Sequence, residues 1–181
     1  MIYSPQEDSY LLEKQVKIYS KNRSVLDIGS GSGIQCLAAL NSGASSVTAS
    51  DINPEVIAHL KSISKSNQNK ITIIKSNLFN NIKSNFDLII FNPPYLPEDE
   101  YEDSESKLVT TGGKHGDEII LKFLNQAPSH LNKNGIILLL LSSLTPKDEI
   151  IKLLSQLNLK HKTISQEKMF MESLFIWEIT F

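Results

Sequence analysis

Apolar residues in this chain fall into short unbroken runs, separated by stretches in which they recur every third or fourth position. The runs SVLDIG (24–29), SVTASD (46–51), KITIIKS (70–76), FDLIIFN (86–92) and GIILLLL (135–141) read as strands. They are mostly apolar throughout rather than alternating, which predicts a sheet covered on both faces. Between them the spacing predicts helices with recognisable starts. Asn53-Pro54-Glu55 and Thr145-Pro146-Lys147-Asp148 each set a capping side chain before a proline at the first helical position. Ser4-Pro5-Gln6-Glu7 reads as a capping box, with Ser4 as N-cap and Glu7 reaching back. Another helix is expected over Asp117 to Leu131, and HKTIS (161–165) and SLFIWEITF (173–181) read as two closing strands. Strand and helix alternating, then ending in a hairpin, predict a doubly wound α/β sheet.

The chain of 181 residues suits one well-cored domain, here residues 1–181. A formal net charge of -2 supplies no overall basic field to hold a phosphate backbone, so nucleic acid is a disfavoured partner. The start, MIYSPQEDSYLL, lacks the regions of a signal peptide, and the longest apolar run, Ile136 to Leu141, is far short of the roughly 20 residues that span a bilayer. No membrane association and a cytoplasmic location are expected. The single cysteine, Cys36, excludes an internal disulfide and offers no second thiol for a zinc site. It reads as a buried structural thiol in an apolar helix, and no metal site is expected.

Ligands of an open α/β sheet bind beyond the carboxyl ends of the strands, where strand order reverses. At the first strand end, LDIGSGSG (26–33) places Asp27 before Gly29, Gly31 and Gly33, a turn whose backbone can approach a ligand closely. Glycine-rich turns also serve nucleotides. The Gly-Lys-Ser/Thr ending of a P-loop is absent, and the spacing differs from the dinucleotide fingerprint. Asp27 can accept from a ligand ammonium group, whereas it would repel a pyrophosphate. Asp51 closes the second strand about 20 residues on, where a carboxylate can hold both ribose hydroxyls. Asn77 and the backbone of Leu78 follow the third strand, where an adenine edge can be read. An amino acid, a ribose and an adenine without phosphates describe S-adenosylmethionine.

The fourth strand ends in IIFNPPYL (89–96). Pro93 and Pro94 set their own φ angles and remove two backbone donors. The Asn92 side-chain oxygen and the Pro93 carbonyl can accept both N–H bonds of a planar NH2 group, while the Tyr95 ring stacks on its face. Such a clamp holds a delocalised, weakly nucleophilic nitrogen against the donor methyl, so orientation and preorganised dipoles carry the catalysis.

At these residues the sequence resembles class I S-adenosylmethionine-dependent methyltransferases, and within them the N-P-P-Y group that methylates planar nitrogens. That motif leaves open whether the acceptor is a glutamine amide or an exocyclic amine of adenine or guanine in DNA or RNA. Together with YSPQEDSYLL (3–12), SDINPE (50–55), FNPPYLP (91–97), TGGKHGDEII (111–120) and ISQEKMFMESLFIWEI (164–179), it resembles the short HemK-related glutamine methyltransferases of the archaeal and eukaryotic type. Bacterial relatives carry a helical domain ahead of the catalytic one, and the short run before strand one fits the short branch.

The resemblance implies a Rossmann-like domain with a seven-stranded, mostly parallel sheet, helices on both faces and an antiparallel C-terminal strand. It implies catalytic Asn92, Pro93, Pro94 and Tyr95, and a donor site formed by Asp27, Gly29, Gly31, Gly33, Asp51, Asn77, Leu78 and Asn92. An N-terminal helix within residues 1–20 would cover that site, with the Ser9 hydroxyl reaching the cofactor. Asn77 departs from the family's usual aspartate and accepts with less strength than a charge. The implied reaction converts S-adenosylmethionine to S-adenosylhomocysteine while methylating N5 of the glutamine in the Gly-Gly-Gln loop of a class 1 translation termination factor. A small zinc-binding activator protein would pair with edge strand 70–76, whose apolar β-branched run lacks protection, the zinc belonging to that partner. His115 reads as a solvent-facing loop residue, Gly112, Gly113 and Gly116 as a flexible wall beside the substrate, and the acidic PEDEYEDSESK (97–107) as a mobile lid.

Overall fold

A computed structural model describes residues 2–97 and 111–181. In chain order the elements are α1 (Glu7–Tyr19), β1 (Ser24–Ile28), α2 (Ile34–Asn41), β2 (Ser46–Asp51), α3 (Pro54–Ser66), β3 (Ile71–Lys75), β4 (Phe86–Phe91), β5 (Leu96–Pro97), β6 (Thr111–Gly113), α4 (Glu118–Gln126), β7 (Leu131–Ser142), α5 (Asp148–Gln156), β8 (Lys160–Lys168) and β9 (Ser173–Thr180). The main sheet has seven strands in the order β3-β2-β1-β4-β7-β9-β8. Strands β3 through β7 run parallel, while β9 is antiparallel to both β7 and β8. Strand order therefore reverses between β1 and β4, and the expected doubly wound architecture is present.

The strand runs are apolar on both sides because each face has its own core. Leu26, Ile28, Ile89, Phe91, Ile137 and Leu139 face α4 and α5, meeting Phe123, Ile120 and Leu154. Val25, Val47, Leu88, Ile90, Leu138 and Leu140 face the other way, against Leu12 and Val16 of α1, Cys36 of α2 and Leu60 of α3. Cys36 is fully buried, as expected of a structural thiol. Most of these side chains are excluded from water altogether, each worth about 1.5–3 kcal/mol of burial.

Three local expectations give way to tertiary contacts. Ser4 does not cap α1: the helix starts at Glu7 after an extended Gln6 that makes no side-chain cap bond. Asp8 takes over that work from inside the first turn, accepting the Ser9 N–H at 2.6 Å. Thr145 does not cap α5, which starts at Asp148. Its hydroxyl instead donates to the Tyr95 carbonyl at 3.3 Å, drawn away by the loop it packs on. The helix expected over 117–131 ends at Gln126 and continues as a 3₁₀ turn over Ala127–His130. Pro128 explains the change, since it cannot donate to a carbonyl one turn back. Asn53 does cap α3, accepting from the Glu55 N–H at 2.9 Å with Pro54 at the helix start. Apart from Pro97, the acidic 97–107 stretch lies outside the described residues.

Candidate active site

Register alone brings the loop starts together. Ile28 pairs with Ser50 on one side and Phe91 on the other, and Ser50 pairs with Ile74. The glycine turn after β1, Asp51 at the end of β2, the Ser76 turn and Asn92 after β4 thus form one row along the carboxyl edge of the sheet. Over this row lies a cavity of about 970 Å³, within the size range of small-molecule sites. Ser9, Asp27, Gly29, Gly31, Asp51, Asn77 and Leu78 line it, as do Asn92, Pro93, Pro94 and Tyr95. Gly33 stands apart from this lining. It adopts a left-handed φ of 83° at the start of α2, where an added Cβ would come within 3.0 Å of Ile63 and 3.1 Å of Leu60. Close helix packing accounts for this glycine.

Backbone donors hold the carboxylates. Asp51 accepts the Gly31 N–H through Oδ2 at 3.1 Å and the Asn53 N–H through Oδ1 at 2.9 Å. Each oxygen keeps a further lone pair for a ligand hydroxyl. Asp27 is 1% exposed and accepts the Cys36 N–H at 3.2 Å. Burial pushes its pKa up to about 7, with nearby Asp51 adding in the same direction and hydrogen bonds from Ser30 and Cys36 opposing it. A buried carboxylate raised in this way favours a cationic partner. Leu78 has φ 47°, an uncommon conformation for a branched side chain and of the kind that concentrates at ligand sites.

Asn92 is held from outside its own loop. Its Nδ2 donates to Asp8 Oδ2 at 2.9 Å, across 84 residues. The other Asp8 oxygen accepts from the Ser9 N–H, the Ser9 hydroxyl and the Tyr3 hydroxyl. A carboxylate can only accept, so the Asn92 amide has one compatible orientation, with Oδ1 on the far side from Asp8. That oxygen is buried and has no hydrogen-bond partner among the described residues. Burial and the Asp8 charge both push the Tyr95 hydroxyl pKa up, so the ring stays neutral at all ordinary pH.

Gly112 and Gly116 serve closeness rather than flexibility. A Cβ on Gly112 would meet the Pro94 carbonyl at 2.6 Å, and one on Gly116 would meet the Tyr95 carbonyl at 2.7 Å. The β6 region packs backbone to backbone on the Asn-Pro-Pro-Tyr turn, and β5 pairs with β6 there. His115 is exposed, its N–H bound to Glu118. Among the cavity-lining residues that the sequence did not single out are Asp8 and Gln35. The only available signal for Asp8 was a carboxylate beside Ser9, which reads equally well as a helix-start charge. Gln35 gave none.

A doubly wound sheet with a cavity at its switch point is a general small-molecule site, and the family model for the methyltransferase small domain, matching residues 7–171, specifies which kind. The chain belongs to that family. It is 40% identical, over 97% of its length and 89% of the other's, to a Methanocaldococcus jannaschii protein provisionally named a protein N5-glutamine methyltransferase. It is also 27% identical to human methyltransferase HEMK2, over 99% of this chain and 89% of the relative. Among solved structures, the Mtq2–Trm112 complex of E. cuniculi, responsible for methylation of the eRF1 translation termination factor, matches with a TM-score of 0.76 at 22% identity, over 98% of this chain and 97% of that one. At that identity the likeness concerns the fold.

Proposed function

We propose that the protein methylates N5 of a glutamine side chain in the Gly-Gly-Gln loop of a class 1 translation termination factor. The observation that carries this reading is the buried Oδ1 of Asn92, an acceptor pinned by Asp8 and lacking a partner among the described residues. A primary amide nitrogen offers two N–H donors and a flat face. Asn92 Oδ1 would take one N–H, the Pro93 carbonyl the other, and the Tyr95 ring would cover the plane. Holding both hydrogens steers the emerging lone pair toward the donor carbon, a contribution of orientation rather than of a strong base. The N5-glutamine naming of the M. jannaschii relative supports the same acceptor over a nucleic acid amine.

The methyl donor is S-adenosylmethionine, which supplies an electrophilic methyl and leaves as S-adenosylhomocysteine. Asp51 would hold its ribose, the Asn77–Leu78 turn its adenine, and Asp27 with the glycine turn its amino-acid end. The presence of Tyr3, Asp8 and Ser9 in the cavity lining supports a covering role for the N-terminal helix.

The partner reading concerns the sheet edges. Edge strand β8 is largely exposed and carries Lys160, Lys162 and Lys168, charges that discourage pairing. At the opposite edge, β3 presents Ile71, Thr72, Ile73 and Ile74 before its single terminal Lys75. We assign that edge, 70–76, to a small zinc-binding activator protein, with the zinc in the partner; the presence of Trm112 in the Mtq2 complex supports a partner protein.

The test is transfer of labelled methyl to a purified class 1 termination factor, with and without such a partner, beside a factor whose Gly-Gly-Gln glutamine is replaced. Label confined to the intact glutamine is expected. Label on the substituted factor, or on nucleic acid alone, would overturn the assignment.

A further inference from the structure

Two buried side-chain oxygens lack a hydrogen-bond partner among the described residues, Asn92 Oδ1 and Gln35 Oε1. The first belongs to the acceptor clamp. The second has a parallel construction on the donor side. Gln35 is 3% exposed, lies in the first turn of α2 and lines the cavity. Its Nε2 donates to the Ser9 carbonyl at 2.9 Å. A carbonyl can only accept, so the amide has one orientation compatible with that bond, and Oε1 must face away from Ser9. An unpaired acceptor in that position is destabilising unless a ligand supplies a donor.

The surroundings specify the donor. Cys36, the next residue, gives its N–H to Asp27, so Gln35 sits beside the most buried carboxylate of the cavity. A ligand carboxylate would be repelled by both. Along the strand-end row, the Asn77 turn follows β3, the outermost strand, and Asp51 ends β2, the strand next to that of Asp27. Only the amino-acid end of the donor offers a group with several N–H bonds and a positive charge, and that end belongs beside Asp27.

We infer that Gln35 is a specificity residue for the methyl donor, its Oε1 accepting from the α-ammonium group while its Nε2 holds α1 over the site. The inference rests on the donor reading given above. It assigns recognition of the ammonium to a neutral amide as well as to Asp27, and it makes closure of α1 and reading of the ligand two ends of one side chain.

The experiment is a cycle of binding titrations on the full chain. S-adenosylhomocysteine and its analogue lacking only the α-amino group are each titrated into wild-type protein and into Gln35→Met, which keeps side-chain length and removes the acceptor. S-adenosylhomocysteine should lose about tenfold in affinity on substitution, the usual worth of a hydrogen bond to a charged group. The deaminated analogue should lose a smaller factor, only the share owed to the broken bond with the Ser9 carbonyl. If Gln35 only ties α1 to α2, or if the variant is misfolded, both ligands will lose the same factor, and the inference falls. Equal affinity of S-adenosylhomocysteine for both proteins also overturns it. No binding of S-adenosylhomocysteine to the wild type would instead overturn the donor reading itself.

Discussion

On the proposed donor side of the cavity, Asp51 is held by the N–H groups of Gly31 and Asn53, and Asp27 by that of Cys36, partners two to 20 residues away on adjoining loops and the first turn of α2. On the acceptor side, Asn92 is held by Asp8 across 84 residues, and the Tyr95 carbonyl by Thr145 across 50. Local backbone builds the first half, and distant side chains build the second. The difference matters for chemistry. A donor common to many methyltransferases can be bound by a standard strand-end row, whereas an acceptor must be placed within a fraction of an ångström of the methyl. The acceptor side accordingly draws its supports from α1, the β6 loop and the loop after β7.

This division can be broken most directly at Asn92. Asn92→Ala should lower turnover by about 10²–10³-fold, the loss seen when one preorganised hydrogen-bonding group is removed. Affinity for S-adenosylhomocysteine by titration calorimetry should change little. Near-normal turnover would end the clamp mechanism, and a parallel loss of cofactor affinity would erase the distinction between the halves.

Asp8→Asn should cost less, about 10- to 100-fold in kcat, again with cofactor affinity retained. An amide at position 8 can present either end to Asn92, so the Asn92 amide loses its enforced orientation and can turn an NH2 toward the acceptor NH2. A single-turnover assay on the termination factor, compared with a binding titration, separates this from a general loss of structure.

The smallest expected change tests the donor half through pH. Asp27 has a folded-state pKa of about 7, above the unfolded value near 3.8. Between those values the folded protein binds the extra proton, so stability is greatest below the unfolded pKa and falls as pH rises through about 7. Thermal melts of the ligand-free protein should show this decline, and Asp27→Asn should flatten it. A ligand ammonium reverses the preference, since it favours the carboxylate. Binding of S-adenosylhomocysteine to the wild type should therefore release a proton near pH 6, measurable from calorimetry in buffers of different ionisation enthalpy. Asp27→Asn should abolish the release and weaken affinity about tenfold. An unchanged pH profile in the variant would show that Asp27 does not titrate there.

Much of this molecule follows from short stretches of chain. The strand runs, their order of alternation with helices, and the glycine turn could all be read because apolar continuity and turn chemistry act over a few residues. The place of the Asn-Pro-Pro-Tyr turn in the cavity wall could be read for the same reason, since an apolar run ending in two prolines marks a strand end. Where expectation failed, a distant contact outbid a local one. Ser4 lost its capping role because Asp8 serves both the helix start and Asn92, and Thr145 lost its own to the Tyr95 carbonyl. Gly112 and Gly116 read as flexible by composition, yet they are required by the backbone that approaches them.

What the sequence by itself determined is therefore the sheet and the row of strand-end residues along its carboxyl edge. Only the tertiary structure decided which way the Asn92 and Gln35 amides face. That choice is physical: the two ends of an amide are nearly the same shape, and what distinguishes them is the acceptor on the neighbouring element. Both acceptors, the Asp8 carboxylate and the Ser9 carbonyl, lie in the first turn of α1, a position that no local pattern around residues 35 or 92 could reveal.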